Sequence, residues 1–287
     1  MLQGIRDRFR LLGIMLLATL GIATTGTARA GALDEIREKG VLRVAVYQDF
    51  APYSYQEGGR YKGLDVDLAR ALAERLGVGL ALMPITADES VEDDLRNAVW
   101  RGHYLGGGTA DVMMHVPVDP RFAARNERVR IFAPYYQERI AIAHRQAEIA
   151  DVASLEVFAE HKVGVELESV ADRYLITTRG GALRANVVHF RSVDQACQAL
   201  RQGQVPALMA QRAQLEHCVG AAAQEFAISA VPEPNVVLFT WSVGLAVKAD
   251  AEDLRQALEA AFEQVRQQGR LQSIFDGNGL RYQPPAS

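Results

Sequence analysis

From residue 41 to residue 275 the chain alternates short apolar runs of strand character with segments whose apolar residues recur at helical spacing, and it does so in two successive series. In the first, strand-like runs at 41–46, 78–84 and 110–114 bracket a helical stretch over 65–76 and another over 91–101. The 65–76 stretch carries Val66, Leu68, Ala69, Leu72, Ala73 and Leu76, and Gly77 stops it. Residues 33–39 predict a short helix ended by Gly40, and 49–63 predict a loop rich in aromatics and glycine. After an extended segment over 131–144 the pattern restarts. Helices are predicted at 155–161, from Ser169 onward, at 193–202 and at 211–219, with strands at 163–165, 187–190 and 205–210. A second extended stretch over 236–247 precedes an amphipathic helix over 251–268 and a last short one from Leu271. Such alternation predicts the α/β class, with parallel strands covered by helices. Two series of similar size predict two lobes, and the extended stretches near residues 140 and 236 are where the chain passes between them.

A length of 287 residues is enough for two such cores. The net charge of −4 and a pI near 5.9 leave no basic face for a nucleic acid. The first thirty residues read as an export leader. Arg6, Arg8 and Arg10 form a basic start, residues 11–23 are uncharged, and Ala28 and Ala30 supply the two small residues at a cleavage point. The apolar run is too short to span a bilayer. Cleavage after Ala30 removes four arginines and one aspartate, a net +3, and leaves a mature chain of −7 from Gly31. Such a chain is expected in the periplasm. There, Cys197 and Cys218, the only two cysteines, form either a single bridge or two buried thiols.

The residues offer little for catalysis. The six histidines (His103, His115, His144, His161, His189, His217) show no zinc-ligand spacing, and neither a P-loop nor a G-x-S-x-G turn occurs. Glu57, Asp65 and Asp67 fit no catalytic pattern. No cofactor, no metal and no enzymatic activity are expected.

Several motifs in fixed order carry a resemblance. Residues 40–46 (GVLRVAV) followed by 51–55 (APYSY), 63–69 (GLDVDLA), Ala110-Asp111-Val112, 132–136 (FAPYY) and 162–165 (KVGV) resemble the bacterial extracellular solute-binding proteins of the polar-amino-acid type, family 3. The resemblance implies a type II periplasmic binding-protein fold of two parallel or mixed sheets flanked by helices and joined by a two-strand hinge. It places lobe 1 at 31–138 and 238–287 and lobe 2 at 139–237. It implies a monomer that closes on a small polar solute, an amino acid or related carboxylate, for an ABC permease.

The family's usual binding devices imply the candidate ligand contacts. Phe50, Tyr53 and Tyr55 supply the aromatic loop. The arginine that grips a carboxylate is Arg121, with Arg125 and Arg128 as competitors. His115 opens the HVPVDPR segment, where valines replace the family's hydroxyl residues. Ser169 stands at a helix start whose N–H groups favour an anionic ligand end. Gln211 occupies the position of the amine-binding aspartate, and an amide cannot neutralise a desolvated ammonium. Either Glu166 or Glu168 takes that role, or the ligand is not a simple α-amino acid. The glycine-rich insertion over 100–108 (WRGHYLGGG) is similar to a subgroup associated with PQQ-dependent quinoprotein alcohol dehydrogenases, the MoxJ/XoxJ-like proteins. That likeness implies an alternative: an accessory of a periplasmic dehydrogenase, with that enzyme or a cytochrome c as partner. Some relatives of this fold, the cyclohexadienyl dehydratases, are enzymes.

Overall fold

The computed structural model describes residues 31–232 and 239–285. The expected leader over 1–30, the start of the 236–247 stretch and the lobe boundary at 237/238 lie outside them. The chain opens with α1 (Ala32–Lys39), β1 (Val41–Tyr47), a small hairpin of β2 (Tyr55–Glu57) and β3 (Arg60–Lys62), then α2 (Leu64–Leu76) and β4 (Gly79–Ile85). Helix α3 (Val91–Leu95) runs into a wide turn at Arg96–Trp100, followed by β5 (Val112–Pro117), α4 (Pro120–Arg125) and the long β6 (Val129–Arg145). The second series is β7 (Val163–Glu166), α5 (Val170–Thr177), β8 (Val187–Phe190), α6 (Val193–Arg201), β9 (Ala207–Gln211), α7 (Arg212–Val219) and β10 (Phe226–Ala230). The chain returns through β11 (Thr240–Lys248) and ends on α8 (Glu252–Gln267) and α9 (Arg270–Gly277).

The strands run in the order β4-β1-β5-β11-β6-β9-β7-β8, with β10 on the free side of β6. Strand β6 belongs to both halves. Its residues up to Arg139 pair with β11, and from Ile140 onward it pairs with β9 and β10. The β1–β4, β1–β5, β7–β8 and β7–β9 pairs are parallel, as the alternation predicts. The pairs made by β6 and β11 are antiparallel, so each half is a mixed sheet. Each has a core on both faces. In the first half, Leu42, Leu72, Phe262 and Phe275 pack on one side, and Leu95, Val99, Met113 and Phe122 on the other. In the second, Phe158, Leu175 and Met209 form one core and Ala196, Leu208 and Leu215 the other.

Three elements depart from the sequence reading. Helix α4 is absent from it, because Phe122 is that helix's one buried residue. The 49–63 loop contains the β2–β3 hairpin, whose exposed strands lack an apolar face. The edge strand β10 was not anticipated, because Phe226 is its one fully buried residue.

Cys197 on α6 and Cys218 on α7 form a disulfide with an S–S distance of 2.09 Å, clamping two helices over the same core. It closes a loop of sequence separation 21, and chain entropy then contributes about 3 kcal/mol. The double variant C197S/C218S is therefore expected to melt about 8 °C below the parent under oxidising conditions. Equal melting temperatures with and without reductant would show that helix packing alone holds α6 on α7.

Candidate functional site

Two adjoining cavities open where the halves of the sheet meet. The larger, of about 480 Å³, is walled by Tyr47, Phe50, His115 and Pro117 from the first half, Glu166 and Gln211 from the second, and Trp241 at the start of β11. The smaller, of about 120 Å³, continues into the second half past Ser169, Val170 and Met209 and shares Glu166, Gln211 and Trp241 with the first.

The wall on the first half depends on two irregularities. Opposite β11, residues Met114 and His115 of β5 face the single Leu245, because register moves from Met113↔Ala246 to Val116↔Gly244. His115 sits at φ +61° in this bulge. On the other side of β11, the partners of Leu245 and Val243 are Phe132 and Tyr136, so β6 carries extra residues at Ala133–Tyr135, with Ala133 at φ +48°. Bulges turn side chains away from the regular pleat. Here they carry His115 and Tyr135 to one buried acid, Asp65, at the start of α2. The Tyr135 hydroxyl donates to Asp65 Oδ1 at 2.6 Å, and His115 Nδ1 lies 3.2 Å from Asp65 Oδ2. The backbone N–H of His115 donates to the Tyr135 hydroxyl at 3.1 Å. All three side chains are buried, and His115 is 7% exposed. Burial, and then the charge of Asp65, push the Tyr135 hydroxyl well above its ordinary pKa.

The aromatic loop packs on this triad. The Phe50 and Tyr53 rings lie 4.9 and 4.2 Å from the His115 ring. Phe50 lines the cavity, whereas Tyr53 is fully buried behind it with its hydroxyl unpartnered. Tyr55 points elsewhere: it meets His217 of α7 at 5.5 Å, with the Lys62 ammonium 5.4 Å over its ring. Tyr47 donates to Asp94 at 2.7 Å, and burial followed by Asp94 raises its pKa.

The three arginines considered for a carboxylate line neither cavity. Arg121 is exposed on α4, Arg125 pairs with Glu92 at 3.5 Å, and Arg128 lies 5.7 Å over the Trp100 ring. On α4, Phe122 fills the core and leaves its neighbour Arg121 outside, while the Arg125 guanidinium lies 5.9 Å over the Phe122 ring. Among the described residues, no lysine or arginine lines either cavity.

On the second half, the Ser169 hydroxyl accepts from Asp172 N at 3.1 Å and so caps α5, while its side of the helix start faces the smaller cavity. Gln211 lines both cavities, and its Oε1 is buried with no partner. Glu166 lines both, and burial, reinforced by Asp194, pushes its carboxyl above the usual range. Glu168 lines neither.

Between the halves lies Glu138, fully buried on β6. Its Oε1 accepts from the backbone N–H of Arg139 at 2.8 Å, and its Oε2 is buried without a hydrogen-bond partner. The backbone N–H groups of Ala213 and Arg212, at the start of a helix with no side-chain cap of its own, lie close by. Burial pushes its pKa up to about 8, against the pull of these N–H groups. Sequence reading missed Tyr47, Asp65, Tyr135, Glu138 and Trp241. Asp65 stands in a motif that was read and carries the one available signal, an acid at an otherwise apolar helix position.

The glycine-rich insertion covers a separate cavity of about 640 Å³, lined by Arg43, Asp88, Asp94 and His103. His103 and His115 therefore face different cavities. The loop's base is held by Arg43, which donates to Gly107 O at 2.6 Å and Thr109 O at 3.2 Å. Its tip carries Tyr104 and Leu105, 88% and 78% exposed. No group of three or more candidate metal ligands occurs among the described residues.

The model of the bacterial extracellular solute-binding proteins, family 3, matches residues 42–278. The chain belongs to this family. The L-cystine-binding protein TcyJ of Escherichia coli is 24% identical over 277 residues, covering 94% of each chain. A cyclohexadienyl dehydratase of Pseudomonas aeruginosa is 41% identical over 83 residues, which is 28% of this chain and 31% of the dehydratase. Among solved structures, an ancestral cationic amino acid solute-binding protein superposes with a TM-score of 0.69 at 22% identity, covering 86% of this chain and 99% of that one. The L-cysteine receptor of Neisseria gonorrhoeae superposes with a TM-score of 0.59 at 19% identity, covering 86% and 92%. The fold is the two-lobed periplasmic binding-protein fold of these structures. No helix among the described residues is long and apolar enough to cross a membrane.

Proposed function

We propose that this family 3 protein captures a small polar solute, an amino acid or related carboxylate, in the cleft between its lobes and presents it to an ABC permease. The observation that carries this reading is the cleft itself. It is walled by both halves and holds two buried polar atoms without protein partners, His115 Nε2 and Gln211 Oε1. Unpaired buried polar atoms cost stability, which a ligand entering the cleft would recover. The ligands named for the relatives, cystine, cysteine and cationic amino acids, favour the same class.

On this reading lobe 1 is 31–138 with 238–287 and lobe 2 is 139–237, the mature chain begins at Gly31 in the periplasm, and it works as a monomer without turnover. The dehydratase match spans under a third of either chain and supports no activity here. None of the relatives named above is a quinoprotein accessory, so the dehydrogenase-partner alternative gains nothing from them. The test is a thermal-shift screen of the mature chain against amino acids, small carboxylates and amines. A true ligand at 100 times its Kd adds about 2.7 kcal/mol, a rise of about 5 °C or more. A panel without any shift would remove the solute-capture reading.

A further inference from the structure

We infer that His115, held by Asp65 and Tyr135, is the group that grips the ligand's carboxylate, in place of an arginine, so that capture is tighter in acid than in alkali. This rests on the solute-capture reading and names the chemistry of that same cleft. Asp65 as a carboxylate offers only acceptors; its Oδ1 takes the Tyr135 proton at 2.6 Å and its Oδ2 faces His115 Nδ1 at 3.2 Å. The Nδ1 proton is thereby committed inward. The other ring nitrogen, Nε2, is buried without any protein partner, on a residue that lines the larger cavity. The ring cannot turn freely, because Phe50 and Tyr53 pack on it and the bulge fixes its backbone.

A second proton on Nε2 makes an imidazolium whose Nδ1 faces Asp65 Oδ2 at 3.2 Å. Its Nε2–H is then a charge-assisted donor for a carboxylate. Among the described residues, no lysine or arginine lines either cavity to compete for that role. The ammonium end has its own complement in Glu166, across the cavity on β7, with Asp49 at the loop. The remaining titratable groups near His115 are the hydroxyls of Tyr47, Tyr53 and Tyr135. Burial raises Tyr47 and Tyr135, which stay neutral in the working range. Burial also raises Glu166, so its loss of charge opposes binding at the acid end, and E166Q separates the two effects.

The experiment is calorimetric titration of the full mature chain with L-cystine, L-arginine and L-histidine, each beside its decarboxylated amine (cystamine, agmatine, histamine), at pH of about 5.5 and about 8.5. For the amino acid that binds, Kd is expected to weaken about tenfold or more from the lower to the higher pH, with its amine bound at least about tenfold more weakly at the lower pH. H115Q keeps a neutral donor and should show the weak alkaline affinity at both pH values. H115N, which tolerates φ +61° better, should do the same if H115Q fails to fold. An amino acid bound equally at both pH values, an unchanged pH profile in H115Q, or an amine bound as tightly as its amino acid would overturn the assignment while leaving solute capture intact. Absence of binding by all six compounds would remove both.

Discussion

Alanine at position 63 is expected to lower the melting temperature by about 12 °C and sharply reduce folded yield. Gly63 precedes α2 at φ +118°, a conformation that L side chains rarely adopt. A Cβ there would lie 2.5 Å from Tyr53 O and 2.6 Å from Pro52 O. Neither carbonyl is free to move, because Leu64 N donates to Pro52 O at 3.0 Å and Asp65 N to Tyr53 O at 2.8 Å. The same two bonds hold Asp65 under His115. Backbone strain and overpacking add, and together cost about 4 kcal/mol. Gly59, at φ +75° with no atom within 4 Å of its would-be Cβ, is the control. G59A should cost about 1 kcal/mol, a shift of about 3 °C. Differential scanning calorimetry of both variants decides it. A G63A variant that melts with G59A would show that the 52–53 turn yields.

The second large effect concerns pH. Folded Glu138 keeps its proton up to about pH 8, whereas an unfolded glutamate loses it near about 4.3. Between those values the native state binds more protons than the unfolded one, so stability falls as pH rises through that window. At about 1.36 kcal/mol for each pH unit, the whole fall amounts to about 5 kcal/mol. The variant E138Q still accepts the Arg139 N–H through its amide oxygen and carries no charge to bury. It should match the parent at pH of about 5 and melt about 10 °C above it at pH of about 8.5. Burial also raises Asp94, Asp111 and Glu166, which give slopes of the same sign. These are common to both proteins and cancel in the comparison. Parallel melting curves for parent and E138Q across this range would show that Glu138 is ionised in the folded chain at neutral pH. The position of Glu138 links this to function, since it is buried on the strand that crosses between the halves, near the helix that opens at Gln211.

What the sequence determined by itself is the order of elements and the identity of the cores. Leu68, Leu72, Leu200 and Leu258 recur at helical spacing, and β1, β5, β7 and β9 are apolar runs bounded by turns or helices. Burial of apolar area acts locally and periodically, and periodicity is written in the chain. Two cysteines allow only one pairing, but the sequence left a bridge and two buried thiols open, and the structure shows the bridge. The candidate site was legible only in part. Phe50, His115, Gln211 and Glu166 were singled out and do line the cleft, while Tyr53, Tyr55 and Arg121 were singled out and do not.

Tertiary structure alone decided the rest. Asp65, His115 and Tyr135 lie 20 to 70 residues apart and meet because β5 and β6 each carry extra residues opposite β11. A single added residue in a strand reverses the face of every side chain beyond it. No local pattern announces such an addition, because it is set by how three strands compete for register across the sheet. The outward turn of Arg121 likewise follows from Phe122 claiming the core, a contest between neighbours on one short helix. The carboxyl of Glu138 is unusual because packing between the two halves buries it. Composition and spacing fix what can be buried, and long-range registry fixes which polar groups are buried together.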